Sequence, residues 1–167
     1  MVHHRLTPAD AATVLQRLGF DTRTLEKGRR PVLQARQGDV SFIVLLDVPA
    51  ANGGQFQCLD FVAPVGQVAG GASVSWSEAI NRLNGCSRVA RGWVDEQSNV
   101  LIGTSLNLMG GMTDEAIANA VSGWFQAVLK LRGGPPKPKA RRKRPKPADE
   151  FVELDAEPAP KSRPVVH

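Results

Sequence analysis

The sequence predicts an α+β domain with three helices and an antiparallel sheet of about five strands, in the order α-β-β-β-α-β-β-α. Strand-like segments occur as neighbours joined by short turns, which favours antiparallel pairing. Three other segments carry apolar residues at the three- and four-residue spacing of amphipathic helices. The 167 residues are 42% hydrophobic and 22% charged, close to the globular average, so we expect a core without metal or disulfide support.

The first helix is predicted to follow Thr7, whose hydroxyl can cap it, with Pro8 at the first helical position and Gly19 after its end. Its buried stripe would consist of Ala11, Val14, Leu15 and Leu18.

A hairpin is predicted next, with strands at Pro31–Gln37 and Val40–Val48 around Gly38-Asp39. The second of these strands is apolar on both faces, because Ile43 and Leu45 stand opposite the main apolar set. A strand with one face in water alternates more cleanly, so we expect its second face to be covered as well. Ile43 and Leu45 are therefore candidate partner-binding residues.

A third strand is expected over Phe56–Ala63, stopping at Pro64. The second helix should begin at a capping box formed by Ser75 and Glu78, and it should end near Gly85. Asn81 and Asn84 would shape the turn that follows.

A second hairpin is predicted from strands at Arg88–Asp95 and Val100–Met109. The core face of the latter would carry Val100, Ile102, Leu106 and Leu108. Arg91 and Trp93 point the same way and could offer a partner a cation and a ring, with Arg88 nearby. The alternative places Trp93 in the core at the sheet edge, with the arginines as rim charges.

The third helix carries the strongest helical pattern, with Thr113 as its cap and acidic residues in its first turn. Its apolar stripe consists of Ile117, Val121, Trp124, Val128 and Leu131.

The composition changes after residue 132, which predicts a domain at 1–132 and a disordered, proline-rich, basic then acidic tail at 133–167. The chain carries a net charge of +5, but nine basic and five acidic residues lie in the tail, so the domain is nearly neutral. The candidate polyanion-binding residues are Lys137, Lys139, Arg141, Arg142, Lys143, Arg144 and Lys146. They could bind nucleic acid weakly and without sequence preference, or they could serve only solubility.

Motifs of known catalytic chemistry are missing from the sequence, which has no phosphate-binding glycine loop, no nucleophile elbow and no zinc-protease helix. Cys58 and Cys86 lack the spacing of a metal or redox pair, and His3 and His4 lie at an end expected to fray. We therefore expect no enzyme, no metal and no cofactor, although a pocket lined by Asp60 or Arg91 stays open as an alternative.

A resemblance to a known family is carried by the stretch from Trp76 to Met112. Its pieces are Ala-Ile-Asn-Arg-Leu-Asn at 79–84, Arg-Val-Ala-Arg-Gly-Trp-Val-Asp at 88–95 and Ser-Leu-Asn-Leu-Met-Gly-Gly at 105–111. In this order, and before the Thr113 helix, they resemble the YbjN family of bacterial sensory transduction regulators. Leu83 departs from the family pattern, where an aromatic residue is common.

The resemblance covers residues 7–132 and implies a fold like that of type III secretion chaperones, with helices packed on a curved antiparallel sheet. It implies dimers and the binding of protein segments, and it brings no catalytic residues. We therefore expect a chaperone-like or regulatory protein-binding module, acting as a homodimer in a bacterial cytoplasm. No apolar run long enough for a signal or a membrane span occurs, so no membrane partner is expected. The alternative is a nucleic-acid-associated protein that binds through its tail.

Overall fold

The computed structural model describes residues 1–27, 30–49, 54–68 and 73–135. These residues lie in the unit Met1–Lys137, and the predicted tail after Pro135 lies outside them. In chain order the elements are β1 (Val2–His3), α1 (Pro8–Arg17), β2 (Asp21–Lys27), β3 (Arg30–Gln37), β4 (Val40–Pro49), β5 (Phe56–Gln67), α2 (Ser73–Cys86), β6 (Arg91–Val94), β7 (Asn99–Asn107), β8 (Met112–Thr113) and α3 (Asp114–Leu131).

The main sheet is antiparallel throughout, with strand order β2-β3-β4-β5-β7-β6, and a separate two-stranded sheet pairs β1 with β8. The α+β class, the three helices and the antiparallel sheet are thus confirmed. The sheet has six strands rather than five because β2 pairs with β3 along its whole length. Leu25 is the one large apolar residue in β2, so the sequence pattern there is too polar to identify a strand.

The first and third helices, α1 and α3, begin directly after the capping residues that the sequence predicts. The Thr7 hydroxyl accepts a hydrogen bond from the Asp10 amide, and the Asp10 carboxylate accepts one from the Thr7 amide, which completes a capping box. The Thr113 hydroxyl accepts a hydrogen bond from the Ala116 amide at the start of α3. These local contacts fix where each helix starts.

Three predicted boundaries are wrong. β5 continues past Pro64 to Gln67, and the missing proline N–H is accommodated at a register irregularity between Pro64 and Gly66. α2 begins at Ser73, so Ser75 lies inside the helix instead of capping it. β6 begins only at Arg91, which leaves Arg88 in the preceding loop.

The described residues form one hydrophobic core between the sheet and the helices. Its centre is Trp124 of α3, which is fully buried. The Trp124 ring packs edge-on against the Phe42 ring, with 5.0 Å between the ring centroids. Its indole Nε1 donates a hydrogen bond of 3.2 Å to the Ile102 carbonyl oxygen. α2 reaches the same core through Trp76, whose ring fills the space above Gly66. The helices therefore pack on one face of the sheet, and the other face is free to carry a site.

Candidate protein-binding surface

The face of the sheet opposite the helices, called the open face here, displays every second side chain of its strands. Strand register places the following residues on it: Val32, Gln34, Ile43, Leu45, Asp60, Val62, Pro64, Arg91, Trp93, Leu101, Gly103 and Ser105. Within the described ranges, the helices contact the sheet from the other side. The open face is therefore a surface on which a partner could meet the sheet.

Ile43 and Leu45 lie at the centre of this face, on β4. Ile43 is opposite Val62 and Leu45 is opposite Val32, so the two residues extend an apolar strip across three strands. Ile43 is 37% exposed and Leu45 is half-buried. Within the described part of a single chain, the neighbouring strands surround these side chains without burying them, so a cover over the second face of β4 stays a prediction that a partner would have to fulfil.

Trp93 continues the apolar strip onto β6. It pairs with Leu101, and its ring leans over the neighbouring Gly103. The side chain is 39% exposed, so it lies on the open face and the alternative of a core tryptophan is wrong. It presents one surface of a large aromatic ring to solvent, which is the kind of residue that dominates protein interfaces.

Arg91 and Arg88 stand at the edge of the open face. Arg91 lies beside Gly103, and its guanidinium donates to the carbonyl oxygens of Ser87 and Ala90, which holds the loop before β6. Arg88 in that loop is exposed. A groove of about 520 Å³ separates this loop from β7 and is also lined by Asp60, Trp93 and Ser105.

Asp60 supplies the negative charge of the groove. Its carboxylate accepts hydrogen bonds from the Ser105 hydroxyl and from the Cys58 thiol, the latter at 3.6 Å. Burial and then the charge of Asp60 raise the pKa of the Cys58 thiol to about 11, so the sulfur stays protonated near neutral pH. A protonated thiol beside a carboxylate is a poor nucleophile.

His3 and His4 lie away from this groove. The His3 ring bonds to the Asp114 carboxylate at 2.5 Å, and β1 is held in place by pairing with β8. The expected frayed end is therefore wrong. In the described ranges, no cluster of three or more histidine, cysteine or acidic side chains is arranged to hold a metal ion. None of the three helices there is long and apolar enough to cross a membrane.

The structure thus brings Ile43, Leu45, Arg91 and Trp93 to one face, with Arg88 at its edge. Sequence reasoning missed Val62 and Leu101, which complete the apolar strip. Both residues alternate with core residues along β5 and β7, and this pattern can be read from the sequence. The strand order that places them beside Ile43 and Trp93 cannot be read from it. The seven candidate polyanion-binding residues at 137–146 lie outside the described residues.

Comparison with known proteins gives a family and a fold. A family model described as "YbjN: Putative bacterial sensory transduction regulator" matches residues 9–132. A crystal structure described as "YbjN, a putative transcription regulator from E. coli" shares the fold with a TM-score of 0.50 at 18% identity, covering 74% of this chain and 89% of that one. No curated protein matches the chain.

Proposed function

The chain belongs to the YbjN family, and from that premise we propose that it is a non-enzymatic regulatory or chaperone-like module that acts by binding protein through its open face. We place this action in the bacterial cytoplasm. The family description supports a regulatory role in general terms. That the chain exerts this role by binding protein through the open face is our proposal.

The observation that carries the proposal is the exposed apolar strip on the open face. A sheet normally buries its apolar face against another layer, and contiguous apolar surface left in water marks a site of interaction. Here Ile43, Val62 and Trp93 form that surface on rigid, paired strands. A partner that covers them gains the hydrophobic free energy of the buried area without ordering a loop.

We propose a second copy of the chain as the partner of this face. A two-fold interface needs a surface that contains its own complement. The open face has this property, because it combines an apolar strip with opposite charges: Asp60 lies on β5 opposite Leu45, and Arg88 and Arg91 lie at the β6 edge. A copy related by a two-fold axis would cover the apolar strip of one chain with that of the other. It would also bring the edge arginines of one chain toward Asp60 of the other.

The test is the solution mass across a micromolar concentration series, by sedimentation or light scattering. The native chain should have the mass of two chains, and Ile43→Lys should shift it to one, because a buried charge in the interface lacks a partner. Leu129→Lys is the matched control, since Leu129 is 44% exposed on α3 and lies in the helical layer. A single-chain mass at every concentration would contradict the dimer.

Binding to nucleic acid is a second candidate, motivated by the seven basic residues within 137–146. Contacts between such residues and phosphates release counterions, so log affinity should fall with log salt by about 0.7–0.9 per contact. We would compare the native chain with one in which all seven are glutamine, in a DNA and RNA shift assay at two salt concentrations. Equal, negligible binding by both would end this candidate.

A further inference from the structure

A second groove lies on the helical side of the sheet, between α2 and α3. It has a volume of about 600 Å³. The two helices rest on different strands, α2 on β6 and α3 on β5 and β7, so a channel is left between them. Its lining residues come from both helices and include Arg82, Leu83 and Cys86 of α2 and Ala127, Lys130 and Leu131 of α3.

Both helices present one regular stripe to this groove. On α2 the lining positions recur at three and four residues from 79 to 86, and on α3 they do so from 123 to 131. The floor is apolar, with Leu83 and Ala127 partly exposed and Leu131 buried. The small side chains of Ala79 and Ala127 leave room along the channel, whereas the space beside Gly123 is taken by the side chain of Val89. The groove therefore follows about two turns of each helix and is apolar at its base.

The rim of the groove is positively charged on both walls. Arg82 projects from α2 and Lys130 from α3, and both side chains are exposed. Neither forms an ion pair with a carboxylate in the described part of the chain. Two cations on opposite walls of an apolar channel are complementary to a ligand with an apolar stripe and negative charge on each side.

We propose that this groove binds an amphipathic helix of a partner protein, with leucine-like residues on its inner face and acidic residues along both flanks. An apolar helix face lying in a groove is an established recognition mode with anchors at i, i+3, i+4 and i+7. The exposed rim argues against a small molecule, which pockets bury by about 70–90%. This site is separate from the open face and does not depend on the dimer.

The probe is a synthetic peptide of about 15 residues, long enough to become helical, with leucines at the four anchor spacings and glutamates beside them. A scrambled peptide of the same composition controls for attraction to the basic residues at 137–146, because it has the same charge but no stripe. A third peptide replaces each glutamate by lysine. Only the first should bind tightly in fluorescence anisotropy.

Cys86 provides a site-specific reporter, because its thiol lines the groove and is exposed. The Cys58 thiol, with its pKa raised to about 11, should react slowly and not interfere. At a peptide concentration about ten times the dissociation constant, alkylation of Cys86 by N-ethylmaleimide should slow about tenfold, as one-site mass action requires. Peptide binding that leaves the alkylation rate of Cys86 unchanged would overturn the proposal.

Charge reversal tests the recognition itself. The double variant Arg82→Glu/Lys130→Glu should lower the affinity for the acidic peptide about tenfold or more, because both rim charges now repel its glutamates. The same variant should bind the lysine peptide, because its new carboxylates attract the lysines. Arg5→Glu/Arg17→Glu is the matched control, since it makes the same change of net charge at two exposed residues outside the groove. Equal loss in the control would show a net-charge effect and reject the site. Ala127→Leu, which fills the channel without altering charge, should also abolish Cys86 protection.

Discussion

The indole ring of Trp93 lies over the α-carbon of Gly103 on the neighbouring strand. A methyl group at position 103 would stand 2.7 Å from Cη2 of Trp93 and 2.9 Å from the carbonyl oxygen of Phe61. Gly103 therefore provides the place where the ring rests, while Trp93 stays 39% exposed. The shape of the open face depends on this absence of a side chain.

Gly103→Ala should consequently destabilise the fold by about 1–3 kcal/mol, as overpacking in a filled site does. The free energy of unfolding in urea measures it. Gly110→Ala is the control, because an added methyl there meets no atom within 4 Å, and its effect should stay within about 0.5 kcal/mol. In the double variant with Trp93→Ala, part of the cost should disappear, since the ring is one of the two clashing groups. Fully additive effects would contradict the contact.

Trp124 should be the most costly single truncation among the tryptophans. It is fully buried, packs edge-on against Phe42 and bonds to the Ile102 carbonyl. Trp124→Ala should reduce the free energy of unfolding by about 3–5 kcal/mol, through lost burial and a cavity. Trp93→Ala, on the open face, should cost clearly less, and similar losses for the two would show that the assignment of core and surface is wrong.

The two cysteines should differ in reactivity. Cys86 is exposed, whereas burial first and the charge of Asp60 second raise the pKa of the Cys58 thiol to about 11. Near pH 8, alkylation followed by mass spectrometry should modify Cys86 well before Cys58, because only the thiolate reacts. Asp60→Asn should accelerate modification of Cys58 by lowering its pKa, and should leave the Cys86 rate unchanged.

The features that the sequence predicted well are those governed by neighbours along the chain. Thr7 and Thr113 cap their helices as expected, and Gln37 pairs with Val40 around a two-residue turn. Each depends on a few adjacent residues whose hydrogen bonds are local. The apolar stripe of α3 likewise predicted the buried side of this helix correctly, from Ile117 to Leu131.

The features that were missed depend on contacts between distant segments. β2 is polar and becomes a strand through its partner β3, and β5 passes Pro64 because β7 supports it on both sides of the irregularity. The open face joins Ile43 to Trp93 only through the strand order, which no local pattern encodes. His3 and Asp114 are brought together by the pairing of β1 with β8, more than a hundred residues apart.

Asp114 should make the stability of the fold depend on pH. Its carboxylate bonds to the His3 ring and also lies 3.4 Å from the amino group of Met1. The bond to His3, the largest cause, holds the pKa of Asp114 below its usual value of 3.8. A group with a lowered pKa in the folded state stabilises the fold above its unfolded pKa, and this contribution is lost as pH falls through the folded value.

Asp114→Asn should therefore lower the free energy of unfolding at pH 7, and its difference from the native chain should shrink toward zero below pH 3.8. Urea denaturation at several pH values from 7 downward measures this difference. Glu115→Gln is the matched control, because Glu115 occupies the same first turn of α3 and shares its helix dipole without a bond to β1. If the two variants lose stability equally at pH 7, the helix dipole alone explains the effect. If the difference in the free energy of unfolding between Asp114→Asn and the native chain persists at low pH, the bond between Asp114 and His3 is not its cause.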